Sequence, residues 1–164
     1  KIDVFGRGFN SFGDKWDVLA PYKYHIAIEN SQADYYLTEK LTDCYITNTY
    51  PIYYGCTNAE KFFPKEAFLS IDINNAEEAI RKIDALIASE TFENSDNLLA
   101  SCKDKVLDEY NMYEQIARVC DTLDLTRPKE RVTLKPMSKM FNWEHIKREV
   151  FSRNYWKIRS ALGI

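Results

Sequence analysis

The sequence predicts an α/β domain built on a parallel sheet with flanking helices. Three short runs, "YHIAI" (24–28), "PIYY" (51–54) and "AFLSI" (67–71), are apolar at nearly every position, as strands covered on both faces are. Helical patterns lie between and after them. Alternating strands and helices imply parallel βαβ units with right-handed crossovers.

The elements follow in order. "IDVF" (2–5) reads as a short strand and "GRGFNSFGD" as turns. After "YHIAI", the stretch "ENSQADYYLTEKL" (29–41) reads as a strand end, a loop and a helix start, with Thr38 as N-cap and Glu39 as a first-turn acid. Leu41, Cys44 and Tyr45 share a helical face that ends near Asn48. Pro51 occupies the first position of the second strand, where it is tolerated, and Gly55 ends that strand. "AEKFF" is a single helical turn. In "NNAEEAIRKIDALIAS", Asn75 followed by Glu78 resembles a capping box, and Ala79, Ile80, Ile83, Leu86 and Ile87 form one apolar stripe. A helical region over 97–123 is broken once. The expected organisation is a Rossmann-like α/β domain over 1–124, a charged, proline-containing linker over 125–141 and a C-terminal amphipathic helix over 142–164.

The chain has 164 residues with 45% hydrophobic and 29% charged side chains, ordinary values for a globular domain with a sizeable core. The net charge of -3 argues against a nucleic-acid partner. From Arg127 onward ten Lys/Arg face three Glu, about +7, which leaves about -10 on the rest. A basic tail on an acidic body suggests a separate job for the tail. Cys44, Cys56, Cys102 and Cys120 form no CxxC pair and there are two histidines, so no zinc site is expected and reduced thiols are the simplest state. The chain opens at Lys1 directly on a strand-like run, which reads as a piece lacking an upstream part. With neither a signal-like nor a membrane-spanning run, the expected location is cytoplasmic, of bacterial type.

Lys40 is out of place by helix electrostatics. A helix N-terminus carries partial positive charge, so a cation in the first turn is mildly unfavourable. An anion there removes the conflict, because backbone N–H groups at a helix start and the ammonium then face one ligand. In open parallel sheets ligands bind at the carboxyl ends of the strands, where this loop lies. Cation, carboxylate and amides together suit a nucleotide-sugar, although the Gly-rich cradle of a dinucleotide fold or P-loop is missing. On spacing alone, a capped helix with a solvated Glu39–Lys40 face explains the stretch as well.

The wider pattern is more specific. Glu29-Asn30-Ser31, Tyr36-Leu37-Thr38-Glu39-Lys40, Pro51-Ile52-Tyr53-Tyr54-Gly55, Pro64, Ala67-Phe68 and Asp72 stand in the order and spacing of a known pattern: E-N-S/T, Y-x-T-E-K, P-I/V-Y-x-G, a Pro, S/A-F and an acid. The segment thereby resembles the C-terminal part of the α1,3/4-fucosyltransferases, glycosyltransferase family 10, over roughly residues 1–88. "KIDVFGRG" resembles the family's "VDxxG" strand. The resemblance implies a GT-B architecture of two Rossmann-like halves, this chain being the C-terminal half that binds GDP-fucose. By motif match Lys40 would contact the diphosphate, Glu39 the sugar hydroxyls, and Tyr36 and Asn30 the donor pocket, with Ser31 and Thr38 in the same motifs. Gly55 would let backbone approach the nucleotide, and Asn58 would add a polar contact. Glu29 is open between orienting a neighbour and binding a hydroxyl directly.

The implied reaction is inverting transfer of L-fucose to a glycan acceptor, which could be an oligosaccharide, lipopolysaccharide or glycolipid. The catalytic base and an arginine motif would lie upstream of Lys1, so no catalytic residue is assigned in this chain and the chain alone is expected to be inactive. No metal is assigned and no cofactor is required, GDP-fucose being the donor substrate. The alternatives are a GT-B domain using another nucleotide-sugar, against which the ENS and YxTEK motifs count, and a non-catalytic nucleotide-binding module, against which intact Glu39 and Lys40 count. Helix 142–164, with Trp143, Ile146, Val150 and Phe151 on one side, either packs back on the protein or attaches peripherally to an anionic membrane. His25 reads as a core histidine, Arg7 as a turn residue, Trp16, Trp143 and Trp156 as core or interface, and Glu77-Glu78 as a helix start.

Overall fold

A computed structural model describes residues 2–6, 8–128 and 131–134. The chain divides into two units, Lys1–Leu123 and Asp124–Ile164. Among the described residues, the helices and strands lie in the first. In order it comprises α1 (Lys15–Leu19), β1 (Tyr24–Ile28), α2 (Glu39–Ile46), β2 (Tyr50–Tyr54), 3-10 turns at Ala59–Lys61 and Lys65–Ala67, β3 (Leu69–Ser70), α3 (Ala76–Ala88), α4 (Asp96–Asp108) and α5 (Met112–Asp121). Of the second unit, the described residues are exposed, with Val132 and Leu134 among them. The expected helix over 142–164 lies outside the described residues, as does Arg7.

The three strands form one parallel sheet in the order β1-β2-β3. Tyr24 pairs with Tyr50 and Ile28 with Tyr54, and Ile52 pairs with Leu69. β2 is the middle strand and is buried along nearly its whole length, as a doubly covered parallel strand should be. β1 was expected to be covered on both faces, but it is a sheet edge in which Ala27 is buried and Ile28 exposed. α2 is the β1–β2 crossover. It presses Leu41, Cys44 and Tyr45 onto the sheet and onto α4, whose Leu99, Cys102 and Val106 complete the core.

Further expectations are corrected. "IDVF" forms no strand. Gly6 and Gly8 take positive φ and fold the chain back, so that Phe5 makes a single bridge to Asn10. The turns after it hide a short helix, α1, capped by the Asp14 side chain accepting from the Trp16 N–H. The third strand is only Leu69–Ser70, because residues 65–67 coil into a 3-10 turn first. Half of the capping box at α3 is present: Asn75 Oδ1 accepts from the Glu78 N–H at 3.2 Å, but Glu78 Oε2 accepts from the Asn75 side-chain amide at 3.1 Å, while the Asn75 backbone N–H donates to the Asp72 carbonyl. Its apolar stripe is narrower than the pattern suggests, for Ala79 and Leu86 are buried while Ile80 and Ile87 are each 59% exposed. α5 buries none of its residues.

Leu99 is fully buried where α4 meets α2, so Leu99→Ala leaves a void and should cost about 2–5 kcal/mol in urea unfolding. Ile87→Ala, on the exposed flank of α3, should stay within about 0.5 kcal/mol of the parent.

Candidate functional site

The ends of β1 and β2 lie side by side, and the loops that follow them (29–38 and 55–58) meet there. The Glu29 N–H donates to the Tyr54 carbonyl at 2.8 Å, extending the ladder one step beyond β1. That step fixes the direction of the Glu29 side chain, because successive side chains of an extended strand point to opposite faces. Ile28 is left exposed and Glu29 turns inward, with no exposed side-chain surface.

Glu29 is the hub of the cluster. Its Oε1 accepts from the Thr38 N–H at 3.0 Å and from the Tyr53 hydroxyl at 3.4 Å. The Thr38 hydroxyl lies 2.8 Å from Oε1 and 2.7 Å from Oε2. Lys40 Nζ donates to Oε2 at 3.4 Å and to Asn30 Oδ1 at 3.1 Å. Thr38 is the N-cap of α2, accepting from the Lys40 N–H at 3.4 Å, so cap, carboxylate and ammonium form one connected unit. Burial, with Glu29 adding to it, pushes the Tyr53 phenol up to about 12. It therefore keeps its proton at neutral pH and serves as a donor.

Lys40 is therefore not exposed to an uncompensated helix dipole. A buried carboxylate stands against it, and its side chain retains 29% exposure. Glu39, one residue earlier, points elsewhere: its carboxylate is 62% exposed and 3.8 Å from Lys15 Nζ. Lys15 donates to Asp43 at 2.8 Å, a bond that raises its pKa. Glu39, Lys40, Lys15 and Asp43 border a cleft of about 760 Å³ along β1, with His25 in its wall. Burial first, and Lys15 second, lower the His25 pKa, which favours the neutral form.

Gly55 has a clear steric reason. A Cβ there would lie 2.2 Å from Glu29 Cγ and 2.6 Å from the Tyr53 hydroxyl. The approach it permits in this structure is that of Glu29, whereas the motif pointed to a nucleotide. Asn58 is buried; its Oδ1 accepts from the Tyr35 N–H at 2.9 Å and from the Cys56 thiol at 3.1 Å. Its Nδ2 has no partner among the described residues. Ser31 is exposed and Tyr36 is 37% exposed. Thus Glu29, Asn30, Thr38, Lys40 and Gly55 meet in one cluster, Asn58 anchors the adjoining loop, and Glu39 faces the cleft.

The motif contains Tyr53 without implying a role for it, and nothing in the sequence pattern marks Tyr35 or Lys61. Tyr35 takes φ 62, and Lys61 lies 5.1 Å from its ring centroid and donates to its hydroxyl at 3.1 Å. The "QADYY" composition marks a turn, but no residue type in it announces a tyrosine at positive φ. Among the described residues there is no cluster of metal-ligating side chains, and no helix is long and apolar enough to cross a membrane.

A parallel sheet with a capped, lysine-bearing helix start at its carboxyl end is the plan of a Rossmann-like ligand-binding domain. The particular lineage follows from comparison: residues 1–130 match the model for the C-terminal part of glycosyltransferase family 10 (fucosyltransferase), and the chain belongs to that family. It is 38% identical over 68 residues to an alpha-(1,3)-fucosyltransferase of Helicobacter pylori, covering 41% of this chain and 14% of the relative. It is 36% identical over 77 residues to the 4-galactosyl-N-acetylglucosaminide 3-alpha-L-fucosyltransferase of Gorilla gorilla gorilla, covering 44% and 21% respectively. A crystal structure of alpha1,3-fucosyltransferase with GDP-fucose aligns at 32% identity and TM-score 0.49 over 58% of this chain and 28% of that one. A second, with GDP, aligns at 32% identity and TM-score 0.48. The chain thus spans a small part of the length of these relatives.

Gly55→Ala drives a methyl into Glu29 and Tyr53. Overpacking of this kind costs about 1–3 kcal/mol, and thermal unfolding should show a lowered Tm of matching size.

Proposed function

We propose that this chain is the donor-binding part of an inverting α1,3-fucosyltransferase, which takes L-fucose from GDP-fucose to a glycan acceptor. Family membership supports the reaction class and the donor. The observation that carries the reading is the Lys40 ammonium at the start of α2, held by Glu29 and Asn30 and still partly exposed.

In the proposed mechanism the acceptor hydroxyl attacks the anomeric carbon as the bond to the diphosphate breaks. Negative charge grows on the departing GDP. A fixed ammonium and the first amides of α2 stabilise that charge without having to reorganise. Glu39 is exposed enough to accept from sugar hydroxyls once it leaves Lys15. Asn30 and Tyr36 line the same loop, and the unpartnered Asn58 Nδ2 sits in the adjoining one. The base that takes the acceptor proton is assigned to no residue here, and the acceptor is placed outside this chain. Lysine and amides together can hold a diphosphate, so the proposed chemistry calls for no metal. The cysteines are free thiols, three of them buried, which supports the cytoplasmic location we propose.

Calorimetric titration with GDP, GDP-fucose and UDP tests this. GDP and GDP-fucose should bind and UDP should bind more weakly. Lys40→Ala should weaken GDP at least about tenfold, the scale of one lost charge-assisted hydrogen bond. Equal binding of all three nucleotides would favour another nucleotide-sugar, and unchanged GDP binding by Lys40→Ala would contradict the site.

A further inference from the structure

We infer that Glu29 is a positioning residue: its buried carboxylate sets the Lys40 ammonium and the α2 cap in their binding arrangement before any diphosphate arrives. The inference rests on the reading of Lys40 given above and adds to it the group that prepares the lysine.

Direct contact with a sugar hydroxyl is a poor role for Glu29. Its side chain has no exposed surface, and both oxygens are already engaged by Thr38, Tyr53 and Lys40. A carboxylate this deep is costly unless paired and hydrogen-bonded. The fold meets that demand from two separate stretches of chain, β2 and the start of α2. Tyr53 donates from β2, Thr38 from the helix cap, and Lys40 supplies the opposite charge. Position 55 carries no side chain, and any Cβ there would collide with Glu29. A simple N-cap needs none of this, because Thr38 alone caps α2.

The consequence falls on Lys40. An ammonium has three protons, and Glu29 and Asn30 engage it in one place while part of it stays exposed. A free lysine would have to be immobilised on binding, which weakens affinity by roughly two- to tenfold for one long side chain. An opposing effect must be weighed, since Glu29 also competes with a phosphate for the same ammonium. The two effects have opposite signs, which makes the inference testable: positioning predicts weaker GDP binding without Glu29, and competition predicts tighter binding.

The experiment is a double-mutant cycle on the full chain, with Glu29→Gln, Lys40→Ala and the double variant titrated with GDP and melted in parallel. Glu29→Gln keeps the shape and an acceptor for Thr38 but loses the charge. It should weaken GDP binding by roughly two- to tenfold and have no further effect once Lys40 is alanine. A purely structural role would give the same loss in both backgrounds. That result, unchanged affinity or tighter binding would overturn the inference while leaving the Lys40 reading intact. If Lys40→Ala itself were neutral, both would fall. Should Glu29→Gln fail to fold, the unsubstituted protein still decides. A held ammonium gives a slowly exchanging Lys40 proton–nitrogen signal before GDP is added, and absence of that signal refutes positioning.

Discussion

The constraint on which the loop end of this sheet depends is a charge that cannot reach water. Glu29 turns into the protein one residue after β1, and its carboxylate must find its partners there. Those partners set the local structure. Thr38 is pinned where it caps α2, Tyr53 is oriented from the neighbouring strand, and Lys40 is drawn toward the start of its own helix. Gly55 is the space this arrangement needs. A lysine that opposes the helix dipole is thereby converted from a small liability into half of an ion pair.

The rest of the unit keeps this cluster rigid. β2 is buried along nearly its whole length and carries Tyr53, so the donor to Glu29 stands on the best-supported strand. α2 is pressed between the sheet and α4 through Leu41, Cys44, Tyr45 and Leu99. The helix start that bears Lys40 is therefore fixed at one end by its cap and along its length by the core. The adjoining loop is tied as well: Asn58 accepts from the Tyr35 amide, and the Thr57 hydroxyl donates to Asp34. A preorganised site of this kind suits the proposed reaction, in which a fixed field would stabilise a departing diphosphate.

Much of this was legible in residue pattern. β1, β2, α2 and α3 announce themselves through apolar runs, period and caps, because each is stabilised by signals within a few residues. α1 and the failed strand at 2–5 were not legible. The former is five residues long with one side-chain cap, and the latter depends on where Gly6 and Gly8 send the chain. Ile80 and Ile87 fit the α3 stripe by period, yet stay exposed, because which part of a stripe is covered depends on distant elements. The motifs located the cluster at 29–40 and 55, but not how it is wired. Tyr53 and Glu29 are 24 positions apart, and no local rule predicts that a phenol, a glycine and a carboxylate will close on one point. Glu29 accordingly stayed open between two roles on sequence alone.

The most direct test of the account is the position of the diphosphate in a crystal of the protein soaked with GDP. The account predicts a phosphate oxygen within hydrogen-bond distance of Lys40 Nζ, beside the first amides of α2, with the contact between Lys40 and Glu29 kept. A diphosphate bound elsewhere, with Lys40 still engaged only by Glu29 and Asn30, would contradict it.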